Sequence, residues 1–233
     1  MATIIRAEPR PIRRIVSPRL PAWGMAAVVA AVIAWGAPIA VQSWRIDQAA
    51  QAIAGDREAS ERLAARYEDA GERVPPRLAL ALAAAWTRSA ATAQDTDRRM
   101  LALVNAGQFL DQARSARPVW PSLRVAEAYH AMLMPGRDAA ALAAYAASFT
   151  GGRFLPREGL WRVAFGARHW QQLRAETRSS MVEEAVLLTQ MDGGLRPQIE
   201  AILGDSPAAV RFQLRLAAAR QVGPQRTAPA ETE

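Results

Sequence analysis

Three places in this chain carry residue types able to do chemistry. They are the histidines His130 and His169, the adjacent acids Glu183 and Glu184, and the run from Arg153 to Arg162. The histidines stand 39 residues apart with too few ligand-type neighbours for a shared metal, so both read as partly buried structural residues. Adjacent acids on a helix point about 100° apart, so Glu183 and Glu184 read as a solvated face rather than a glycosidase pair. Glu58, Glu127 and Glu158 are further carboxylates with nothing to single them out. The run Arg153-Phe154-Leu155-Pro156-Arg157-Glu158-Gly159-Leu160-Trp161-Arg162 places three arginines and two aromatics around a helix start. Its plain reading is aromatic packing with arginine stems laid across it. Its functional reading is an interaction surface made of Arg153, Phe154, Arg157, Trp161 and Arg162, holding an anion or a protein surface. Gly-rich phosphate loops, Gly-x-Ser-x-Gly and His-Glu-x-x-His are all missing, and no catalytic, cofactor or metal residue is expected. Gly151-Gly152 and Gly193-Gly194 read as helix stops.

The elements that must position these residues are helices. Alanine supplies 52 of the 233 residues and all 29 basic residues are arginine, while β-branched and aromatic residues are sparse, a helix-forming composition. There is no cysteine, which removes disulfides, thiol nucleophiles and thiolate metal sites. Proline and glycine divide the chain. A first helix is expected over 46–70 with a break at Gly55-Asp56, and a second from Pro75-Pro76 to about Ala91 with Leu78, Leu82 and Trp86 on one face. A third should be capped by Asp95 or Asp97 and carry the stripe Met100, Leu103, Val104, Gly107, Leu110. A fourth starts at Pro121-Ser122, a fifth at Asp138, a sixth at Pro156-Arg157-Glu158, and a seventh runs over 175–191. A short eighth covers 197–203. In the last, Ser206 should cap with Pro207 at the first position; Val210, Leu214 and Ala217 form one face, Phe212 and Leu216 a neighbouring one. Trp120-Pro121 and Leu155-Pro156 lie 35 residues apart, close to the tetratricopeptide period of about 34. The expected fold is all-α: a single N-terminal transmembrane helix, then an irregular tetratricopeptide-like array of α-hairpins over 45–222 and a disordered tail over 223–233.

The net charge of +7 is unevenly placed. Residues 1–20 hold five arginines and one acid, and the other 213 residues hold 24 arginines against 21 acids, so +4 of the charge precedes the first hydrophobic stretch. Leu20 to Trp44 is 25 uncharged positions, roughly 37 Å as a helix against a hydrocarbon core of about 30 Å. Arg13, Arg14 and Arg19 precede it, and Trp23 and Trp44 mark its ends, where indole rings favour headgroups. The expectation is a cytoplasmic arginine-rich tail over 1–19, an uncleaved inner-membrane anchor over 20–44 and a periplasmic helical domain; the alternative is a signal peptide cut after Val41-Gln42-Ser43. A domain of only +3 on the far side of a membrane excludes nucleic acid as a partner.

Several landmarks recur in order: Arg117-Pro118-Val119-Trp120-Pro121 before a helix, Pro156-Arg157-Glu158 at a second start, Phe165-Gly166, Trp170 with Leu173 and Arg178, then a short terminal helix. With the N-terminal anchor, this order over residues 100–220 resembles the VpsP-type accessory proteins of bacterial exopolysaccharide biosynthesis. The resemblance implies a non-catalytic, membrane-anchored scaffold, without cofactor, whose partners are membrane-embedded polysaccharide synthesis or export proteins and inner-membrane lipid. It carries no catalytic residues across. The rivals are a general helical-repeat envelope scaffold, for cell division, secretion or cytochrome maturation, and an envelope enzyme acting on glycan.

Overall fold

The computed structural model describes residues 57–68 and 73–222, with Val41, Trp44 and Ile46 ahead of them. The chain divides into two units, Met1–Trp44 and Arg45–Glu233. Of the first, Val41 and Trp44 are described, both helical and exposed. The expected tail over 1–19, most of the anchor over 20–44, its flanks Arg13, Arg14, Arg19 and Trp23, and the tail over 223–233 lie outside the described residues. Among the described residues, no helix is long and apolar enough to cross a membrane.

The second unit is all-α: nine helices and no strand among the described residues. They are α1 (Arg57–Arg66), α2 (Pro76–Thr92), α3 (Thr96–Ala116), α4 (Pro121–Leu133), α5 (Asp138–Ala147), α6 (Gly159–Arg168), α7 (Ala175–Met191), α8 (Arg196–Leu203) and α9 (Pro207–Val222). Local chemistry sets most boundaries. Pro76 and Pro121 occupy first turns, where a missing N–H costs nothing. Asp95 caps α3 by accepting the Arg98 N–H at 2.8 Å. Ser206 precedes α9 as expected, but its buried hydroxyl makes no hydrogen bond among the described residues.

Packing follows chain order. α2 and α3 form the most extensive helix pair, α1 leans on α2, and α4 packs on both α2 and α3 before turning back as α5. This half closes over a core including Leu78, Leu82, Trp86, Leu103, Phe109, Leu110 and Leu123. Trp86 sits with Leu78 and Leu82 as the spacing predicts. The α3 stripe does not hold: Leu103 and Leu110 are buried, while Met100 and Val104 are exposed. The buried face of α3 is completed by Ala102, Ala106 and Ala113, small residues that allow close helix approach but add little to a hydrophobic pattern. In the second half α7 packs against α6 and α9, and α8 against α6, around Tyr145, Phe165, Trp170, Met181, Ile199 and Phe212.

Candidate functional site

The predicted cluster occupies the connection between α5 and α6 and the first turn of α6. Gly151 and Gly152 begin it by lying against the start of α4: a Cβ on Gly152 would sit 2.8 Å from Pro121 Cγ. The start of the connection is thus held against Pro121 by a backbone approach that only glycine allows. Pro156 opens a turn rather than a helix, and α6 begins three residues later. Gly159 is buried there, and a side chain would meet Leu188 of α7 at 2.9 Å.

Beneath this connection lies an ion pair with no solvent contact. Arg162 Nε and Glu184 Oε2 are 2.8 Å apart, and both side chains are 0% exposed. The contact is ionic rather than an aligned hydrogen bond. Each partner also grips the connection. Arg162 Nη1 donates to Gly152 O at 3.2 Å, and Glu184 Oε1 accepts the Leu155 N–H at 3.0 Å. Arg162 Nη2 has no hydrogen-bond acceptor among the described residues; the guanidinium lies 3.6 Å from the centre of the Phe149 ring, a cation–π contact. Tyr145 Oη donates to Arg162 O at 2.9 Å, fixing α6 to α5. Gly166 leaves room for that phenol, since a Cβ there would collide with Tyr145 Oη and Met181.

Burial dominates the protonation of the cluster. It pushes Glu184 up to about 7, with Arg162 and the Leu155 N–H pulling the other way. The same desolvation lowers Arg162 and raises Tyr145.

Four of the five predicted surface residues remain at or near the surface. Arg153 and Arg157 are exposed, and Phe154 and Trp161 are half-buried. Trp161 packs edge-on against Tyr129, centroids 5.9 Å apart, and lies 5.1 Å from Phe165. Arg162 is the exception: it belongs to the interior, because residue 162 of α6 turns toward Phe149 and α7. Glu184 is likewise not on a solvated face. The sequence held a signal for it, since Glu184 stands three residues after Met181 and four before Leu188, on the apolar stripe of α7.

The other candidates have structural partners. His130 Nε2 lies 2.8 Å from Leu103 O, and His169 stacks on Phe165 at 4.4 Å. Among the described residues, no group of three metal-ligating side chains converges. A groove of about 750 Å³ between α3, α4 and α5 includes Gly107, Glu127, His130 and Arg137. Its buried carboxylate, Glu127, is held by Arg114 at 2.9 Å and Arg124 at 2.8 Å. Glu183 is exposed, with Ser179 Oγ at 3.4 Å.

No protein-family model, curated protein or solved structure matches this chain.

Proposed function

We propose that this chain is a non-catalytic accessory protein of bacterial exopolysaccharide synthesis or export, anchored in the inner membrane by residues 20–44 and docking its partners on an irregular tetratricopeptide-like array of α-hairpins in the periplasm. One observation carries the docking reading. A buried pair of charges, costly to desolvate and weak as a source of stability, is spent on fixing the connection that displays Arg153, Phe154 and Arg157. A core that needed only to fold has cheaper fillings for that space; a surface that must hold its shape for a partner has a use for the clamp. The pairing of α2 with α3 and of α4 with α5 supports the hairpin-array part of the proposal.

The test is co-purification of the full chain from detergent, with partners identified, in parallel with polymer production. Arg153→Ala with Arg157→Ala is expected to leave folding unchanged and to weaken capture of a glycosyltransferase or exporter in a salt-sensitive way. Capture unaffected by both changes removes the docking surface. Partners drawn from cell division, secretion or cytochrome maturation favour the general scaffold. Glycan cleavage abolished by Glu127→Gln in the groove favours the enzyme.

A further inference from the structure

The face of α9 turned away from the core is apolar where solvent should meet charge. Ala208, Phe212 and Leu216 are buried on one side. Opposite them, Val210 and Leu214 are 62% and 68% exposed, and Ala217, Ala218 and Gln221 extend the same uncharged stripe. The flanks carry Arg211 and Arg215 on one edge and Arg220 on the other, and the helix contains no acid. Among the described residues, Arg211 and Arg215 make no ion pair; Arg211 instead lies 5.3 Å from the Trp170 ring centre. Together with Leu214 they border a shallow groove beside Ser179 and Val182 of α7. Arg220 is left near Glu200, which Gln213 and Arg196 already hold.

We infer that α9 is a docking surface for an anionic lipid bilayer, with Val210 and Leu214 entering the headgroup layer and Arg211 and Arg215 meeting lipid phosphates. Three considerations select this occupant. An apolar stripe edged by arginines is the pattern of helices that lie in a membrane interface. The face is a single convex helix side of roughly 240 Å², far below the about 800 Å² per partner of a stable protein interface, so it suits a plane of many small ligands. A second copy docked by the same face would set the Arg211–Arg215 edge against its own equivalent when antiparallel and against the Arg220 edge when parallel, and α9 has no acid to answer arginine in either case. This surface lies on a different helix from the 153–161 connection and stands independently of it.

The chain has no cysteine, so a single label is unambiguous. Full-length Leu214→Cys, carrying an environment-sensitive fluorophore, is reconstituted into phosphatidylcholine vesicles or vesicles one-third phosphatidylglycerol. Quenching of the label at 214 by headgroup-labelled nitroxide lipid is then read, with Ile33→Cys, read against lipid carrying its nitroxide deep in the acyl chain, as a separate report on the anchor. The expected result is strong quenching at position 214 in the anionic vesicles only. It should be lost in about 0.5 M salt and fall about fivefold for each of Arg211→Gln and Arg215→Gln. Quenching absent from both vesicles overturns the proposal, as does equal quenching in neutral vesicles. Label–label contact that grows with protein concentration overturns it in favour of a second copy. An unquenched label at position 33 beside the expected pattern at 214 defeats the anchor and leaves α9 standing.

Discussion

The two cores of the helical domain are built from different materials. Around α2 and α3, seven of the fourteen buried core residues are alanine. Buried polar groups there include Thr87, whose hydroxyl donates to its own helix at Ala83 O. Around α6 and α7 the core instead encloses Tyr145, Phe149, Phe165 and Trp170 together with a charged Arg162–Glu184 pair. Alanine permits close helix approach but specifies little beyond it, because many alanine faces are interchangeable. The second core pins one arrangement, since each partner of the ion pair has a second attachment in the 152–155 connection. The difference places the structural specificity of this domain next to its most function-like surface.

The largest expected effect breaks the second core at its charges. Arg162→Ala or Glu184→Ala leaves a buried charge without its partner and should cost about 3–5 kcal/mol, read by urea denaturation. Replacing both, Arg162→Met with Glu184→Leu, should cost far less than the sum, because no charge is then stranded. Hydrogen exchange separates stability from clamping. The Leu155 amide should exchange faster in the double variant even where global stability is kept. An unchanged Leu155 amide would remove the clamp from the docking proposal.

Next comes Gly166→Ala. The new methyl meets Tyr145 Oη and lies 2.8 Å from Met181 Cγ, so overpacking of about 1–3 kcal/mol is expected. The same change at Gly107 in the first half meets only the His130 ring at 3.6 Å, ordinary contact. It should be neutral or slightly stabilising, since alanine is the better helix former. Equal losses at the two glycines would erase the contrast between the cores.

A pH titration sharpens the comparison further. Burial raises Glu184 to about 7 in the folded state, from an ordinary value of 4.5. The folded protein therefore holds this proton more tightly than the unfolded chain. The contribution is fully present below about 4.5 and is lost as pH rises through about 7. Urea midpoints should fall across that window in the wild type, and the fall should flatten in Glu184→Gln. An increase in midpoint over the same window would mean that Arg162 outweighs desolvation.

Much of this fold was legible in the sequence because its punctuation is local. Pro76, Asp95 and Pro121 mark helix starts through backbone chemistry that needs no tertiary partner, and the helices at Asp138 and from Ala175 to Met191 lie where the sequence pattern puts them. What was not legible depends on what lies opposite. Met100 and Val104 satisfy the spacing of a core stripe, yet alanines 102, 106 and 113 are the face that α2 and α4 cover. Pro156 is a good helix opener, but α6 starts later, at Gly159, where α7 crowds the backbone. Ser206 has the right type and place for a cap, yet its buried hydroxyl has no partner among the described residues. Arg162 and Glu184 are 22 positions apart, so no local rule pairs them. On the last helix, spacing found both apolar faces, and only packing decided that Phe212 and Leu216 face inward.

The smallest effect expected lies in the alanine-rich core and concerns its one unanswered indole. Trp86 is 8% exposed and its buried Nε1–H has no acceptor among the described residues, beside a groove of about 630 Å³ bordered by Glu61, Ser89 and Gln94. Leaving such a donor unsatisfied costs about 1–3 kcal/mol. Trp86→Phe removes that penalty but also removes ring atoms from a packed site, a loss of similar size and opposite sign. The two should nearly cancel, giving a net change within about 1 kcal/mol. Trp86→Ala forfeits the packing as well and should cost about 3–5 kcal/mol. A Trp86→Phe variant that loses as much as Trp86→Ala would mean that the indole N–H is engaged. The first core would then hold a polar anchor of its own, and the contrast with the Arg162–Glu184 core would be one of degree.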